Sequence, residues 1–181
     1  MSNIIIVEYD SSHQPYFEKF NRGWIEKYFE MEPVDEFVLT NPEEAILKPG
    51  GAILMAEYDG EIAATVALRK IDDQTYEFTK MAVDERFRRR GIAERLCHAS
   101  FDKAKELGAT TIILYSNTKN AAAILMYEKI GFRHLKVEPG IYKRANVKMI
   151  IDIDDAMQPA TFNPIFKESS TKHFILDEQN L

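Results

Sequence analysis

Residues 83–93 read Val83-Asp84-Glu85-Arg86-Phe87-Arg88-Arg89-Arg90-Gly91-Ile92-Ala93, a basic turn between an apolar strand and the start of a long helix. Backbone amides at a helix start point outward without partners inside the helix, and the helix dipole adds partial positive charge there. Gly91 carries no side chain, so the backbone of the turn can come close to a bound oxyanion. The turn therefore predicts a phosphate or pyrophosphate site, with a plain solvated turn as the alternative.

A second motif follows the apolar residues 111–115 and reads Asn120-Ala121-Ala122-Ala123-Ile124-Leu125-Met126-Tyr127-Glu128-Lys129-Ile130-Gly131-Phe132. It resembles the Asn…Tyr-Glu-Lys-x-Gly-Phe signature of the GNAT superfamily of N-acetyltransferases. Arg88-Arg89-Arg90-Gly91-Ile92-Ala93 is similar to the Arg/Gln-x-x-Gly-x-Gly/Ala loop with which that family binds acyl-CoA. Ala93 stands where glycine is commoner, and the two motifs occur in the family's order. The resemblance is dense from residue 52 to residue 132 and thin beyond residue 154.

The resemblance implies a mixed α/β fold in which helices flank a mostly antiparallel central sheet and acyl-CoA lies in a splay between the central strands. The hydrophobic pattern agrees with this fold. Asp59-Gly60 and the turn at 72–74 separate three predicted antiparallel strands, at 52–58, 61–71 and 75–83. Helices are predicted at 16–29, 91–107 and 120–129, with a buried strand at 110–116 between the last two.

The length and charge of the chain limit its organisation and its partners. A chain of 181 residues that is 45% hydrophobic is long enough for one domain with a sizeable core. We expect this domain at 1–153, followed at 154–181 by a tail that docks either on its own domain or on a second subunit, as in a homodimer. A net charge of −6 argues against nucleic acid as a partner.

The cysteine and histidine content and the apolar runs exclude other classes of site and location. Cys97 is the only cysteine, so we expect no internal disulfide, and the chain has no Cys/His cluster that predicts a metal site. No apolar run has the length of a membrane span, and residues 1–10 lack the pattern of a signal peptide. We therefore expect a cytoplasmic protein with no membrane partner.

The resemblance implies which residues bind the cofactor, acetyl-CoA. The pyrophosphate is expected on the turn, whose amides hold it and whose arginines supply charge: Arg88, Arg89, Arg90, Gly91, Ile92 and Ala93. The backbone of Met81, Ala82 and Val83 is expected to pair with the pantetheine arm. Asn120 is expected beside the pantetheine amides, and it is also typical of a helix N-cap.

The strand at 75–83 offers a candidate base. Strict alternation places Glu77, Thr79, Met81 and Val83 on one face and Phe78, Lys80 and Ala82 on the other. An alkylamine is protonated at neutral pH and must lose a proton before it can attack a thioester. Glu77 is the candidate for that step; a water chain and a solvent-facing charge at the sheet edge are the alternatives.

Tyr127 is the candidate general acid. It lies about two helical turns after Asn120, so both side chains can reach the same cleft. Acyl transfer from a thioester releases a thiolate, which a nearby phenol can protonate. The alternative is a core tyrosine with its hydroxyl at the rim. Cys97 is interpreted as a packing residue, because no histidine is placed by the sequence to activate it.

These residues predict an N-acetyltransferase that passes an acetyl group from acetyl-CoA directly to a primary amine. A catalytically silent acyl-CoA-binding module is the alternative. The acceptor stays open between small molecules and peptide or protein amines. Acidic side chains within 26–44 would attract a cationic amine, but a solvated helical surface explains them as well. Tyr142, Arg144 and Asn146 are further candidates for the acceptor pocket.

Overall fold

A central sheet and four α-helices make up the part of the chain that the computed structural model describes, which is residues 3–140, 142–156 and the backbone of 166–167. The strands are β1 Ile4–Glu8, β2 Ala52–Tyr58, β3 Glu61–Lys70, β4 Thr75–Val83, β5 Thr111–Ser116, β6 Arg133–Leu135, β7 Val147–Asp152 and β8 Phe166–Lys167. The helices are α1 Gln14–Tyr28, α2 Pro33–Thr40, α3 Ile92–Glu106 and α4 Ala121–Ile130.

The sheet has the strand order β6-β7-β5-β4-β3-β2-β1-β8. Its pairs are antiparallel except β4 with β5 and β1 with β8. The two-residue turn between β2 and β3 has positive φ at both Asp59 and Gly60, which is the geometry of a tight hairpin turn. The prediction of a mixed, mostly antiparallel sheet flanked by helices is therefore confirmed.

Each face of the sheet carries its own apolar layer. On one face, α3 and α4 pack through Leu96, Phe101 and Ile130 against residues of the central strands, including Val66 and Phe78. The other face packs against α1 and α2 through a separate cluster: Phe17, Ile25, Val38, Leu39, Ile53, Met55 and Ala67. This arrangement leaves the carboxyl ends of β4 and β5 between the two helical layers.

The parallel pair β4–β5 opens halfway along its length. Pairing runs from Thr75 with Thr111 to Phe78 with Leu114 and stops there, while β4 continues to Val83. The backbone of residues 79–83 is therefore unpaired on the β5 side. This opening is the splay that the resemblance predicted between the central strands.

A bulge on β4 overturns the predicted alternation of its side chains. Thr79 pairs with Ala67 and Ala82 pairs with Thr65, so Lys80 and Met81 together lie opposite a single β3 residue. Lys80 has a φ of 53°, a left-handed conformation that is unusual outside glycine. The extra residue shifts the alternation by one position after Thr79.

The bulge separates Glu77 from Met81. Cross-strand partners share a face, so Glu77 and Thr79 point to the α1–α2 layer, where Ala67 packs. Met81 and Val83 pack against the α3–α4 layer instead. The prediction that Glu77 shares a face with Met81 and Val83 was wrong, because strict alternation does not hold across a bulge.

The predicted tail at 154–181 lies mostly outside the described residues. Its described parts are Asp154–Ala156 and β8, whose backbone pairs in parallel with β1 at Ile6 and Val7. Whether the rest docks on its own domain or on a second subunit stays a prediction. Within the described residues, no helix is long and apolar enough to cross a bilayer.

Candidate active site

Two cavities meet beside the opening between β4 and β5. The larger is a groove of about 490 Å³ that runs from the arginine turn along the start of α4. The smaller has a volume of about 90 Å³ and lies towards α1 and the loop before β7. Five residues line both cavities, namely Trp24, Phe29, Met81, Asn120 and Tyr127. A molecule in the groove and a molecule in the small cavity would therefore meet at these side chains.

The arginine turn forms one end of the groove with its backbone. Arg89 and Gly91 both have positive φ, 61° and 75°, and Gly91 is the N-cap of α3. Gly91 has no side chain that could cap the helix, so the first backbone amides of α3 can bind a ligand. A Cβ built on Gly91 would meet no atom within 4 Å, which means that the space in front of the turn is open.

The three arginines of the turn do not share one position. Arg88 and Arg89 line the groove, together with Gly91, Ile92 and Ala93. The Arg90 guanidinium instead lies 4.7 Å from the ring centroid of Tyr58 and 5.8 Å from that of Phe87. The structure therefore brings two of the predicted arginines to the groove and places Arg90 where it anchors the turn against aromatic rings.

The other predicted cofactor-binding residues line the same groove. Met81, Ala82 and Val83 form its wall along the unpaired edge of β4. Asn120 is the N-cap of α4, but its side chain makes no capping hydrogen bond. The amide of Asn120 therefore does not serve the helix start, and it faces the junction of the two cavities.

Tyr127 lies at that junction, on α4. Its side chain is 6% exposed and packs edge-on against Phe78 and Phe132, with ring centroids 5.8 and 5.6 Å away. Burial raises the pKa of the Tyr127 phenol above its usual range, so the group stays protonated at neutral pH. A protonated phenol at the wall of both cavities is placed to donate a proton.

The small cavity has a charged wall, of which the sequence indicated only Arg144. Lys80 and Arg144 line it, and the carboxylate of Asp35 from α2 lies behind both. The ammonium Nζ of Lys80 donates to Asp35 Oδ1 at 2.7 Å, and Arg144 donates to both oxygens of Asp35 at 2.6 and 2.8 Å. Arg144 also donates to Glu32 at 3.0 Å.

This charge network is buried, and burial affects the pKa values of its members. Asp35 is fully buried and the Lys80 side chain is 3% exposed. Burial opposes ionisation of Asp35, but the hydrogen bonds and charges of Arg144 and Lys80 outweigh it and lower the Asp35 pKa to about 2. Burial lowers the pKa of Lys80, and the nearby carboxylate of Asp35 acts against that shift. The Lys80 ammonium lies 4.8 Å from the ring centroid of Tyr142, another wall residue.

Glu77 lies behind the small cavity and is not one of its lining residues. Its side chain is 1% exposed, and its Oε2 accepts hydrogen bonds from Nε and Nη2 of Arg69. Burial raises the pKa of Tyr142 to about 12, and the negative charge of Glu77 adds to that shift. The negative charge of Glu77 therefore acts on Tyr142, which is a residue of the cavity wall.

The remaining sequence candidates divide between the small cavity and positions outside it. Cys97 is fully buried in α3, and burial raises the pKa of its thiol, so it is a poor nucleophile. Tyr142 and Arg144 line the small cavity, as expected, whereas Asn146 instead holds the backbone of Thr118. Among the described residues, no group of three histidine, cysteine or acidic side chains could hold a metal ion.

Sequence reasoning missed Lys80 as a wall residue. Its side chain was assigned to the other face, and no local pattern announces the bulge that turns it. Asp35 was visible only as one acidic residue among several. The pairing of Arg144 with residue 35, which is 109 positions away, has no local signal in a single sequence.

Comparison with known proteins places these features in a family. Residues 10–132 match the model of the Acetyltransferase (GNAT) family. The chain is 35% identical over 88 residues to N-acetylaspartate synthetase of Rattus norvegicus, a match that covers 48% of this chain and 29% of that protein. It is 28% identical over 113 residues to the uncharacterized N-acetyltransferase YvbK of Bacillus subtilis, covering 61% of this chain and 73% of YvbK.

A solved structure shares the fold. The structure of an acetyltransferase of the GNAT family from Staphylococcus aureus superposes with a TM-score of 0.75 at 23% sequence identity, covering 83% of this chain and 99% of that one. The chain spans less than a third of the length of N-acetylaspartate synthetase.

Proposed function

The chain belongs to the GNAT acetyltransferase family, and we propose that it transfers the acetyl group of acetyl-CoA directly to a primary amine. The observation that carries this proposal is the position of Tyr127, where the groove and the small cavity meet. The groove would hold acetyl-CoA and the small cavity the amine. Tyr127 would then contact the sulfur at which the thioester is cleaved.

The groove fits acetyl-CoA in its chemistry. The turn at 88–93 offers unpartnered helix amides, two arginines and open space in front of Gly91, which suit a diphosphate. The unpaired edge of β4 offers backbone donors and acceptors to the amides of a pantetheine arm. Asn120 adds a side-chain amide at the point where the arm would approach Tyr127.

Tyr127 would act as the general acid. When the amine attacks the acetyl carbon, the carbon–sulfur bond breaks and the electron pair leaves on sulfur. The Tyr127 hydroxyl, which is protonated at neutral pH, would donate its proton to that thiolate. Direct transfer is supported by the burial of Cys97, which leaves no accessible thiol at the junction.

Glu77 stays the predicted base that accepts the proton of the amine. Because Glu77 is buried against Arg69 and does not line the small cavity, a proton from the cavity would need a relay to reach it. Water in the cavity would accept the proton without this relay. We expect Glu77→Gln to lower kcat by on the order of 100-fold if the carboxylate is the base. Arg69→Gln is the matched control, since it breaks the same ion pair and keeps the carboxylate.

If Glu77→Gln keeps nearly full kcat, then water and not Glu77 accepts the proton of the amine. Equal losses in Glu77→Gln and Arg69→Gln would mean that the ion pair matters only for the structure of the sheet.

Acetyl transfer is tested with acetyl-CoA and a library of primary amines. We expect release of free thiol that depends on the amine, and a mass gain of one acetyl group on the amine. Intact mass of the protein after acetyl-CoA alone should show no adduct, and Cys97→Ala should keep most activity. An acetyl adduct on the protein that an amine discharges would contradict direct transfer. Tight acetyl-CoA binding without turnover of any amine would identify a silent binding module.

A further inference from the structure

The charges that face the small cavity are all positive. Its described lining contains two cations, Lys80 and Arg144, and no aspartate or glutamate. The acidic partners of these cations, Asp35 and Glu32, lie behind them and are not lining residues. A cationic amine with a second positive charge would therefore meet like charge at this wall.

Both cations have N–H donors that their acidic partners do not use. An ammonium has three N–H donors and a guanidinium has five. Asp35 accepts one bond from Lys80, and Asp35 and Glu32 together accept three from Arg144. Each cation thus retains donors beyond those that its acidic partners accept. A carboxylate in the cavity could accept them as charge-assisted hydrogen bonds.

The wall is held in place before any ligand arrives. Asn117, at the end of β5, donates its side-chain amide to the carbonyl of Arg144 at 2.7 Å. The backbone amide of Asn146 donates to the carbonyl of Ser116 at 3.0 Å, which ties the same loop to β5. Asp35 fixes the guanidinium end from the α2 side. Such preorganisation lowers the cost of fixing a ligand.

The size of the cavity limits what can reach these cations. A volume of about 90 Å³ is well below that of a typical small-molecule site, so only a small group enters. Tyr127 and the two cations line this same small volume. An acceptor that uses both must carry its amine and its anionic group close together.

We infer that the acceptor is a small α-amino acid whose carboxylate binds Arg144 and Lys80 while its amine faces the junction at Tyr127. This inference rests on the proposed acetyl transfer and names the substrate class of the same site. Arg144 and Lys80 are in this scheme the specificity-determining residues. Asp35, one of the acidic side chains within 26–44, is then the structural partner of these two cations and not a site for a cationic acceptor.

The wild-type protein supplies the first test. Thiol release is measured with the common α-amino acids, with the α-carboxamide of each one, and with spermidine. The carboxamide keeps the shape of the acid and removes its charge. We expect kcat/KM to be 10- to 100-fold higher, as an order of magnitude, for at least one acid than for its carboxamide. Preference for carboxamides or for spermidine would overturn the inference.

Variants assign the preference to the wall. Arg144→Gln and Lys80→Gln should lower kcat/KM for the acid to the value that the wild type has for the carboxamide. The change should come mainly from a higher KM for the acid. Arg144→Lys should restore part of the difference. Lys148→Gln is the matched control, because Lys148 lies 5.6 Å from the ring of Tyr115 and does not line the cavity. It should keep the wild-type ratio of acid to carboxamide.

Thermal melting establishes that each variant folds, and calorimetric titration with acetyl-CoA separates the two proposals. Normal acetyl-CoA binding, with acetyl transfer only to amines that carry no carboxylate, would refute the amino acid acceptor. It would leave the proposed acetyltransferase activity standing. An unchanged ratio in folded Arg144→Gln and Lys80→Gln would do the same. Absence of acetyl-CoA binding to the wild type would refute the proposed function itself.

Discussion

The two cavities of this protein are built in different ways. The groove owes its character to backbone, namely the unpaired edge of β4 and the helix-start amides of the arginine turn, with side chains of α1 and α4 along its walls. The small cavity owes its character to side chains from β4 and the loop before β7, with α2 behind them. A backbone site can be shared by many sequences, whereas a side-chain site is specific to one. The contrast suggests that the groove serves the common donor and the small cavity the particular acceptor.

The largest expected effect concerns the support of the small cavity. Asp35→Ala removes the carboxylate that pairs with both Lys80 and Arg144, and it leaves two cations without their buried partner. We expect the free energy of unfolding to fall by about 3–5 kcal/mol. Urea denaturation at neutral pH measures this change.

A matched control is the neighbouring Glu36→Ala. Glu36 pairs with Arg22 on the surface and its side chain is 52% exposed, so its loss should lower the free energy of unfolding far less than the loss of Asp35. Similar losses for Asp35→Ala and Glu36→Ala would show that the charge network is not the structural base of the cavity.

The second prediction concerns the junction. Tyr127→Phe keeps the edge-on packing against Phe78 and Phe132 and removes only the hydroxyl. We expect kcat to fall on the order of 100-fold while acetyl-CoA affinity stays near wild type. Tyr115→Phe, which alters a wall residue of the small cavity alone, should change kcat far less. Near-full kcat in Tyr127→Phe would make water the proton donor.

The same contrast explains how much of the molecule could be predicted from the sequence. Most of the groove was predictable, because the residues that the resemblance implies lie in two continuous segments; Trp24, Tyr28 and Phe29 also line it and were not predicted. Gly91 permits the left-handed turn, and the hairpin at Asp59-Gly60 sets the strands before it. The β4–β5 opening came from the family resemblance and not from the pattern of residues.

The small cavity was only partly predictable, since its parts lie far apart in the chain. Asp35 and Arg144 are 109 positions apart, and a single sequence gives no sign that they pair. The bulge at Lys80 has no local marker, because the left-handed residue is a lysine and not a glycine. The predicted face of Glu77 was wrong for the same reason. Tyr142 and Arg144 were named as candidates for the acceptor pocket, and both line the small cavity.

A third prediction uses pH to probe the charge network. The pKa of Asp35 is about 2 in the folded protein, below the usual 3.8, so folding favours the ionised carboxylate. The resulting stability is present above pH 3.8 and is lost as the pH falls towards 2. We expect this loss to be about 2 kcal/mol.

Comparison with Asp35→Asn isolates this contribution, because other carboxylates titrate in the same range. Urea denaturation at a series of pH values should give a flatter acid limb for Asp35→Asn than for the wild type. Parallel curves would mean that Asp35 is not ionised more readily in the folded protein than in the unfolded chain.

The smallest expected effect tests whether the groove is a backbone site. Gly91→Val places a side chain in the open space before the turn, where we propose that the diphosphate binds, and we expect acetyl-CoA affinity to fall by about tenfold. The substitution also strains the backbone, since Gly91 has a φ of 75°. Gly108→Val is matched for this strain: Gly108 has a φ of 88°, follows the other end of α3, and also has no atom within 4 Å of a Cβ. Calorimetric titration should show weaker binding only in Gly91→Val, while thermal melting shows similar destabilisation in both. Equal affinity in the two folded variants would mean that the turn does not contact acetyl-CoA, and the groove would then need another ligand.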